Sequence, residues 1–485
     1  MGVRSAFSFI KPVENRAERK KREKATRELV AVVTEKHRKQ EAPQKRRVRT
    51  WGAREAVNSL WGPPVARTQP NRASALTLAG AYPFIAEAGL GSRGVWIGKI
   101  AGSGAGADFV FDPWELYQQK IVTGTSIVLI GTVGTGKSSV AKSLITRSVL
   151  HGRKCAVASD PKGEWAPVAH ALGGDVIALS ATSRNRLNPL DEGPRDSRLD
   201  EDEWKRLVNS RRRNVVSSIV GTLLGRRLLP HEYTVIDVAV SAIVEQHQEP
   251  TLTHLYDAVR EPLGEDAHRL RETGFEVADA LRRLVRGDMQ GIFDGPSTVK
   301  FNPDSPIVVM DTSGFIGQVQ ELMDVATLCA ATWLEAAVMD PNGGKRYVVY
   351  DEGYRMLRNE QQLLRMSDQW KLARQYGLSN MLIMHRITDL DAIGDVGSSA
   401  RALAQGLLSD SEIRIVYRQE ADVLDRTRLA LGLTREESAV IQDLPMGMGL
   451  WKIAKRPFVV ANLLTPDELD AFNTSHRADA DAIAS

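Results

Sequence analysis

A lysine and a serine close a glycine-rich segment whose spacing is typical of phosphate binding. The pattern G-x-x-x-x-G-K-S runs from Gly131 to Ser138. Its glycines, including Gly134 and Gly136, permit turns that a Cβ would forbid, so successive backbone N–H groups can face one anion. The ammonium of Lys137 could reach β- and γ-phosphates, and the hydroxyl of Ser138 could bind Mg²⁺. An apolar run precedes this phosphate-binding loop (P-loop), and a helix-like run from about residue 137 to 151 would turn its positive dipole end toward the same anion.

This segment predicts a site for ATP and Mg²⁺. An incidental lysine after a glycine-rich turn is the alternative, but it would not require the strand before and the helix after. The predicted nucleotide-binding residues are Gly131, Thr132, Val133, Gly134, Thr135, Gly136, Lys137, Ser138 and Ser139.

Two adjacent carboxylates, Asp351 and Glu352, follow the apolar run 347–350. A buried strand would hold such acids rigidly at the edge of a sheet. Asp351 would then serve with Ser138 as a Mg²⁺ ligand, and Glu352 would orient and polarise the water that attacks the γ-phosphate. We therefore predict Lys137, Asp351 and Glu352 as the catalytic residues.

Polar side chains also follow two other strand-like runs. Asp160, Lys162 and Glu164 come after the apolar run 155–158, where they could support Mg²⁺ or the attacking water, or could simply cap the next helix. His385 and Arg386 follow the run 380–384. This pair could sense the γ-phosphate or reach a neighbouring subunit's nucleotide, whereas a structural role for His385 is equally open.

The elements that must position these groups are short apolar strands that alternate with helical segments. This alternation predicts an α/β fold with a mostly parallel sheet and the polar segments at its carboxyl edge. The predicted strands are 126–130, 155–158, 175–179, 306–310, 347–350, 380–384 and 413–418, with a closing hairpin at 449–453 and 458–460.

Composition divides the chain into segments. Helical spacing replaces strand signals between residues 195 and 300, and the arginine runs 211–213 and 226–227 within it are more typical of solvated faces than of nucleic-acid sites. The predicted segments are a basic tail, helical or disordered, at 1–50, a linker at 51–80, a small β-containing element at 81–125, an ATPase core at 126–194 and 301–470, a helical insertion at 195–300, and a disordered C-terminal tail at 471–485.

Charge is distributed unevenly along the 485 residues. The net charge is +4, yet residues 1–50 hold 16 Lys or Arg against 6 Asp or Glu, so the rest of the chain is net acidic. The tail could bind nucleic acid, anionic lipid or an acidic partner, or be a solvated extension. No apolar stretch is long enough for a membrane span or a signal peptide, so we expect a cytoplasmic protein. The two cysteines, Cys155 and Cys329, lie in apolar surroundings and should be reduced.

Taken in order, these motifs resemble the motor domain of conjugative type IV secretion ATPases, of the TraC-like, VirB-type group in the HerA/FtsK superfamily. The resemblance covers about residues 80–470. It depends on the segments 111–113, 131–138, 160–164, 186–190, 291–296, 351–352, 374–377 and 444–449.

The resemblance implies a RecA-like P-loop NTPase core with a helical insertion, assembly into a hexamer, and Mg-ATP hydrolysis that energises pilus assembly or substrate export at the inner face of the cell membrane. It also implies that Lys137, Ser138, Asp351 and Glu352 keep the family's catalytic roles.

Two departures from the family pattern qualify the resemblance. Family members usually carry a large N-terminal domain that docks to the membrane complex, whereas a basic tail and linker occupy that space here, so we expect a separate chain to supply docking. The family often has Thr-Gln where this chain has His385 and Arg386. The candidates for an arginine that acts on a neighbouring subunit's nucleotide are Arg374, Arg386, Arg414 and Arg418.

Two other functions remain open from the sequence. A DNA-translocating motor of the coupling-protein, FtsK or HerA kind would share the core, and would show DNA-stimulated hydrolysis and salt-dependent DNA binding. A nucleotide-gated scaffold would bind ATP with little turnover, although Lys137 and Glu352 argue against it.

Overall fold

A computed structural model describes residues 89–101, 107–180, 183–357, 360–387 and 399–472. The predicted tail at 1–50, the linker at 51–80 and the first residues of the element at 81–125 lie outside these ranges. A helix includes residues 471 and 472 of the predicted C-terminal tail, and the remainder of that tail also lies outside.

One sheet of eleven strands organises the described residues, in the order β2-β1-β11-β10-β9-β3-β8-β7-β4-β6-β5. The strands are β1 Val95–Ile100, β2 Asp108–Phe111, β3 Ile127–Ile130, β4 Lys154–Asp160, β5 Asp175–Ser180, β6 Ile307–Gly314, β7 Arg346–Tyr350, β8 Leu378–Met384, β9 Ile413–Val416, β10 Met448–Ile453 and β11 Arg456–Asn462.

Seven of these strands, from β9 to β5 in the sheet order, are parallel. Their carboxyl ends therefore lie at one edge, as the positions of the polar segments predicted. Strand β8 separates β3, which leads into the P-loop, from β7, which leads into Asp351 and Glu352. The prediction of a mostly parallel central sheet is confirmed.

The remaining four strands form an antiparallel extension. The hairpin β10–β11 pairs with β9, and β1 and β2 continue outward from β11. Gly98 permits this contact, because a Cβ there would lie 1.9 Å from the carbonyl oxygen of Ala461. Strands β1 and β2 thus extend the central sheet, through a pairing of β1 with a segment more than 300 residues away that local patterns could not predict.

Helices cover both faces of the sheet and form the insertion. Five of them, α4 to α8, lie between β5 and β6. The helices are α1 Pro113–Gln118, α2 Lys137–Leu150, α3 Ala166–Ala171, α4 Glu201–Leu224, α5 Pro230–Gln246, α6 Leu252–Arg260, α7 Ala267–Thr273, α8 Phe275–Arg286, α9 Gln320–Val338, α10 Tyr354–Leu357, α11 Glu360–Leu372, α12 Ser399–Asp410, α13 Leu424–Ala430, α14 Arg435–Gln442 and α15 Pro466–Phe472.

The hydrophobic core has two parts, one on each face of the sheet. Successive residues of β3 alternate between them: Val128 and Ile130 join one cluster, and Ile127 and Leu129 join the other. A parallel strand buried on both faces is expected to be continuously apolar, as β3 is. Cys155 and Cys329 are free and buried, as predicted. Within the described ranges, no helix is both long and apolar enough to cross a membrane.

Candidate active site

The P-loop leaves β3 at the carboxyl edge of the sheet and is held there by neighbouring backbone. The N–H of Gly131 donates to the carbonyl of Met384 at 3.3 Å, and the N–H of Thr132 donates to that of Arg418 at 3.2 Å. Gly134 and Gly136 adopt φ values of 78° and 98°. A Cβ on Gly136 would also lie only 3.1 Å from the backbone of Gly447. The backbone path of the loop therefore requires glycine at these positions.

Lys137 lies at the first position of α2 and is only 4% exposed. Burial lowers the pKa of its ammonium, and the charges of Asp351 and Glu352 partly offset this effect. Across the described residues, its ammonium has no hydrogen bond and no carboxylate within 4.0 Å. A buried cation usually has a bound counter-charge. The site is therefore suited to an anion such as a nucleotide phosphate.

Asp351 is oriented by two donors. Its Oδ1 accepts the N–H of Glu352 and its Oδ2 accepts the indole Nε1–H of Trp165, each at 2.9 Å. Each carboxylate oxygen retains a second acceptor position. Asp351 can therefore be held in place and still bind a cation or a cation's water.

The carboxylate of Glu352 is 6% exposed and is contacted by two neighbouring side chains. Its Oε1 lies 2.5 Å from Nζ of Lys162 and 2.7 Å from Nε2 of His385. Burial raises the pKa of Glu352, but the hydrogen bonds from His385 and Lys162 outweigh it, so the net shift is downward and the carboxylate is ionised. Its backbone has φ of 52°, an uncommon conformation for a residue with a Cβ.

The charged residues at the end of β4 and in the loop after it have three different sets of contacts. Asp160 accepts the N–H groups of Glu164 and Trp165 at 3.0 and 2.8 Å, so it organises the turn before α3. Burial raises its pKa to about 7. Glu164 pairs with the buried Lys142 at 3.3 Å. Of the three residues proposed from sequence, Lys162 is the one that contacts Glu352 directly.

The candidate arginines lie in different places. Arg374 donates to the carbonyl of Thr123 at 2.9 Å, at the amino edge of the sheet and away from the P-loop. Arg414 donates to the carbonyls of Leu431 and Ser409 within its own subunit.

Two candidates lie beside the P-loop. Arg386 pairs with Glu420 at 2.8 Å, and the exposed Arg418 follows β9. Both line a cleft together with Thr132, Val133 and His385. Arg386 and Arg418 are thus the two candidates at the carboxyl edge.

A Mg²⁺–nucleotide complex fits this arrangement. Ser138 is the second residue of α2, next to Lys137, and Asp351 lies within electrostatic range of that lysine. Across the described part of the chain, no group of three or more His, Cys, Asp or Glu could hold a metal ion. Mg²⁺ commonly binds through one or two protein ligands, substrate phosphates and water, so a cage of side chains is not required.

Sequence reasoning missed Trp165, whose indole reaches Asp351, and Gly447, whose N–H donates to the carbonyl of Thr135 at 2.9 Å. Trp165 follows directly on the charged segment 160–164, so a tryptophan beside a predicted ligand-facing loop was the available signal. Gly447 lies within the segment 444–449 that contributes to the resemblance, but its contact with the P-loop gave no local signal, because that contact depends on the position of the hairpin β10–β11.

Comparisons with known proteins find similar structures but no match by sequence. No protein-family model matches the chain, and no curated protein matches it by sequence. The structure of VirB4 of Thermoanaerobacter pseudethanolicus aligns with 79% of this chain and 100% of its own, at 19% identity and a TM-score of 0.65. The plasmid coupling protein TrwB in complex with a non-hydrolysable ATP analogue, ADPNP, aligns over 77% of this chain and 90% of its own, at 14% identity and a TM-score of 0.51.

At these low sequence identities, the similarity shows a shared fold only. The predicted fold class is confirmed: the chain has an α/β, RecA-like P-loop NTPase core of the kind seen in VirB4 and TrwB, with a mostly parallel sheet and a helical insertion.

Proposed function

We propose that this chain is a Mg²⁺-dependent ATPase that powers a conjugative, type IV secretion-type apparatus. The observation that carries the proposal is the gathering of Lys137, Asp351 and Glu352 at the carboxyl edge of one sheet, around the P-loop. The structural likeness to VirB4, together with the motif order, supports the secretion context.

In this proposal the backbone N–H groups of residues 131–138 bind the phosphates, and the ammonium of Lys137 neutralises their charge. Ser138 and Asp351 would hold Mg²⁺, which would supply positive charge to offset that of the phosphates. Glu352 accepts a hydrogen bond from the attacking water and orients it in line with the leaving ADP. The indole of Trp165 keeps the Asp351 carboxylate in a single orientation.

Assembly and location form the second part of the proposal. The chain would form a homohexamer in which Arg386 or Arg418, at the P-loop edge, reaches a neighbouring subunit's nucleotide. It would act in the cytoplasm at the inner face of the cell membrane, with a separate chain supplying docking and the basic residues 1–50 helping to recruit it. Partner capture by the full chain and by a variant without residues 1–50 tests this recruitment, because identical partners would exclude a role for the tail.

A DNA-translocating motor is the second candidate, supported by the likeness to the coupling protein TrwB. The arginine runs of the insertion do not favour it. Arg213 pairs with Asp237 at 2.5 Å, and Arg226 pairs with Glu232 at 2.7 Å, so these cations are engaged within the chain.

ATP turnover by the purified protein decides between these functions. The proposed ATPase requires wild-type turnover that falls by at least about 100-fold in Glu352→Gln, because the water loses its acceptor. Turnover no faster than that of the variant would instead indicate a nucleotide-gated scaffold. Strong stimulation by single- or double-stranded DNA, suppressed by salt, would favour the translocase. The mass in solution with and without nucleotide tests the hexamer.

A further inference from the structure

The two groups that contact Glu352 come from opposite sides of its strand. His385 follows β8 and Lys162 follows β4, the two neighbours of β7 in the sheet. Both approach the same oxygen, Oε1, at 2.7 and 2.5 Å. In this arrangement two donors occupy the acceptor positions of Oε1.

Lys162 is the more exposed of these two groups and has the longer, more flexible side chain. Its side chain is 50% exposed, against 23% for His385. Its backbone is fixed, because Asp160 accepts two N–H groups of the same loop and Trp165 is bonded to Asp351. The four-carbon side chain of a lysine can therefore redirect its ammonium while the loop stays in place.

The ammonium of Lys162 also lies near the predicted γ-phosphate position. Lys137, which reaches the terminal phosphates in loops of this pattern, is close enough to Lys162 for the two charges to repel. A γ-phosphate between them would attract both ammonium groups. Its oxygens carry more charge than one carboxylate, so it would compete with Glu352 for Lys162.

We propose that Lys162 exchanges partners, leaving Glu352 for the γ-phosphate when a nucleoside triphosphate binds. This inference rests on the proposed ATPase function and adds a triphosphate-dependent control of Glu352. Without triphosphate, Lys162 keeps the Glu352 carboxylate engaged. With triphosphate, the carboxylate keeps its contact with His385, and Oε1 regains an acceptor position with which to orient water.

The exchange predicts a change in the preference for triphosphate over diphosphate. In Lys162→Met, which keeps the unbranched side chain but removes the ammonium, affinity for the non-hydrolysable ATP analogue ADPNP with Mg²⁺ should fall by about three- to tenfold, because one charge-assisted contact is lost. Affinity for ADP should change by less than about twofold, since ADP offers no γ-phosphate. Lys162→Arg should keep most of the preference. Titration calorimetry on the full chain measures all of these affinities.

Glu352→Gln provides an independent test in the opposite direction. A neutral amide holds Lys162 less strongly, so the preference for ADPNP over ADP should increase. The matched control is Lys154→Met at the other end of β4, where Lys154 faces Asp304 at 3.7 Å, and it should leave the preference unchanged.

The outcomes separate the two proposals. If the wild-type chain binds neither ADPNP nor ADP, the proposed ATPase function is wrong. If it binds both, and Lys162→Met weakens them equally or not at all, the exchange is wrong and nucleotide binding stands. Circular dichroism shows whether Lys162→Met folds. If it does not fold, the test passes to Glu352→Gln, and an unchanged preference for ADPNP over ADP in that variant would overturn the exchange.

Discussion

The indole Nε1 of Trp165 donates a hydrogen bond to Oδ2 of Asp351 at 2.9 Å, across two adjacent strands of the sheet. Groups that orient a metal-binding carboxylate commonly affect metal affinity by about 10- to 100-fold. We therefore expect Trp165→Phe, which keeps an aromatic ring but removes the donor, to raise the Mg²⁺ concentration needed for half-maximal ATP turnover by about tenfold. A Mg²⁺ titration of turnover at saturating ATP measures the shift.

Trp114→Phe is the matched control for this substitution. Trp114 is also buried, and its Nε1 donates to the carbonyl of Gly377 at 3.1 Å, at the amino edge of the sheet. Trp114→Phe should therefore lower the free energy of unfolding without changing the Mg²⁺ dependence of ATP turnover. If both variants shift the Mg²⁺ dependence equally, general destabilisation explains the effect and orientation of Asp351 does not.

Lys137 is buried without a paired counter-charge among the described residues, so we expect it to favour nucleotide binding at the expense of the stability of the nucleotide-free protein. Burial lowers the pKa of its ammonium, so the folded state disfavours the charge that the unfolded state solvates freely. Lys137→Met should raise the free energy of unfolding of the nucleotide-free protein by about 1 kcal/mol. Urea denaturation measures this change. The proposed function also predicts that Mg-ATP stabilises the wild type, and that Lys137→Met loses this stabilisation.

Lys142→Met is the useful comparison for Lys137→Met. Lys142 lies on the same helix and is equally buried, but it pairs with Glu164 at 3.3 Å. Its removal leaves that carboxylate without its partner and should lower stability. A loss of stability in both variants would show that Lys137 is not disfavoured by its site.

The raised pKa of Asp160 predicts that its contribution to the stability of the fold decreases from acidic to neutral pH. Burial raises its pKa to about 7 from an ordinary value of 3.8, so between these values the folded state retains a proton that the unfolded state releases. Its contribution to stability is complete below pH 3.8 and is lost as pH rises to about 7. From pH 5 to 8, the wild type should lose about 2 kcal/mol more stability than Asp160→Asn, which has no titrating carboxyl. Urea denaturation of both proteins at both pH values measures this difference. If the wild type and Asp160→Asn lose the same stability between pH 5 and 8, Asp160 is ionised throughout that range.

Local patterns in the sequence were sufficient to predict the P-loop, the strand before Asp351 and the parallel arrangement that brings them to one edge. The partners of Lys162 and Trp165 were not predictable in this way. They depend on the order of strands across the sheet, which places β4 beside β7 and β8 between β3 and β7. For the same reason, the sequence left a metal-supporting and a helix-capping role equally open for Asp160, Lys162 and Glu164. The structure shows that these neighbouring side chains have different partners.

A buried ion pair beneath the Asp351 strand gives the last prediction. Glu335 on α9 accepts the hydroxyl of Tyr350 at 2.8 Å and pairs with Arg365 on α11. Burial lowers the pKa of Arg365 to about 10, and the guanidinium remains charged at neutral pH. Removing one partner leaves the other charge buried and unpaired, so Arg365→Met or Glu335→Leu alone should cost about 3–5 kcal/mol. The double variant should cost much less than the sum, because no unpaired charge remains.

A double-mutant cycle by urea denaturation measures this coupling. Tyr350 directly precedes Asp351, so the single variants should also reduce ATP turnover, by disturbing the end of β7. Tyr350→Phe separates the two effects, since it removes one hydrogen bond and leaves the ion pair intact. It should cost only about 1 kcal/mol. If the two single costs add in the double variant, Glu335 and Arg365 do not stabilise one another, and β7 is held in position without their ion pair, by its pairing with β4 and β8 and by apolar packing.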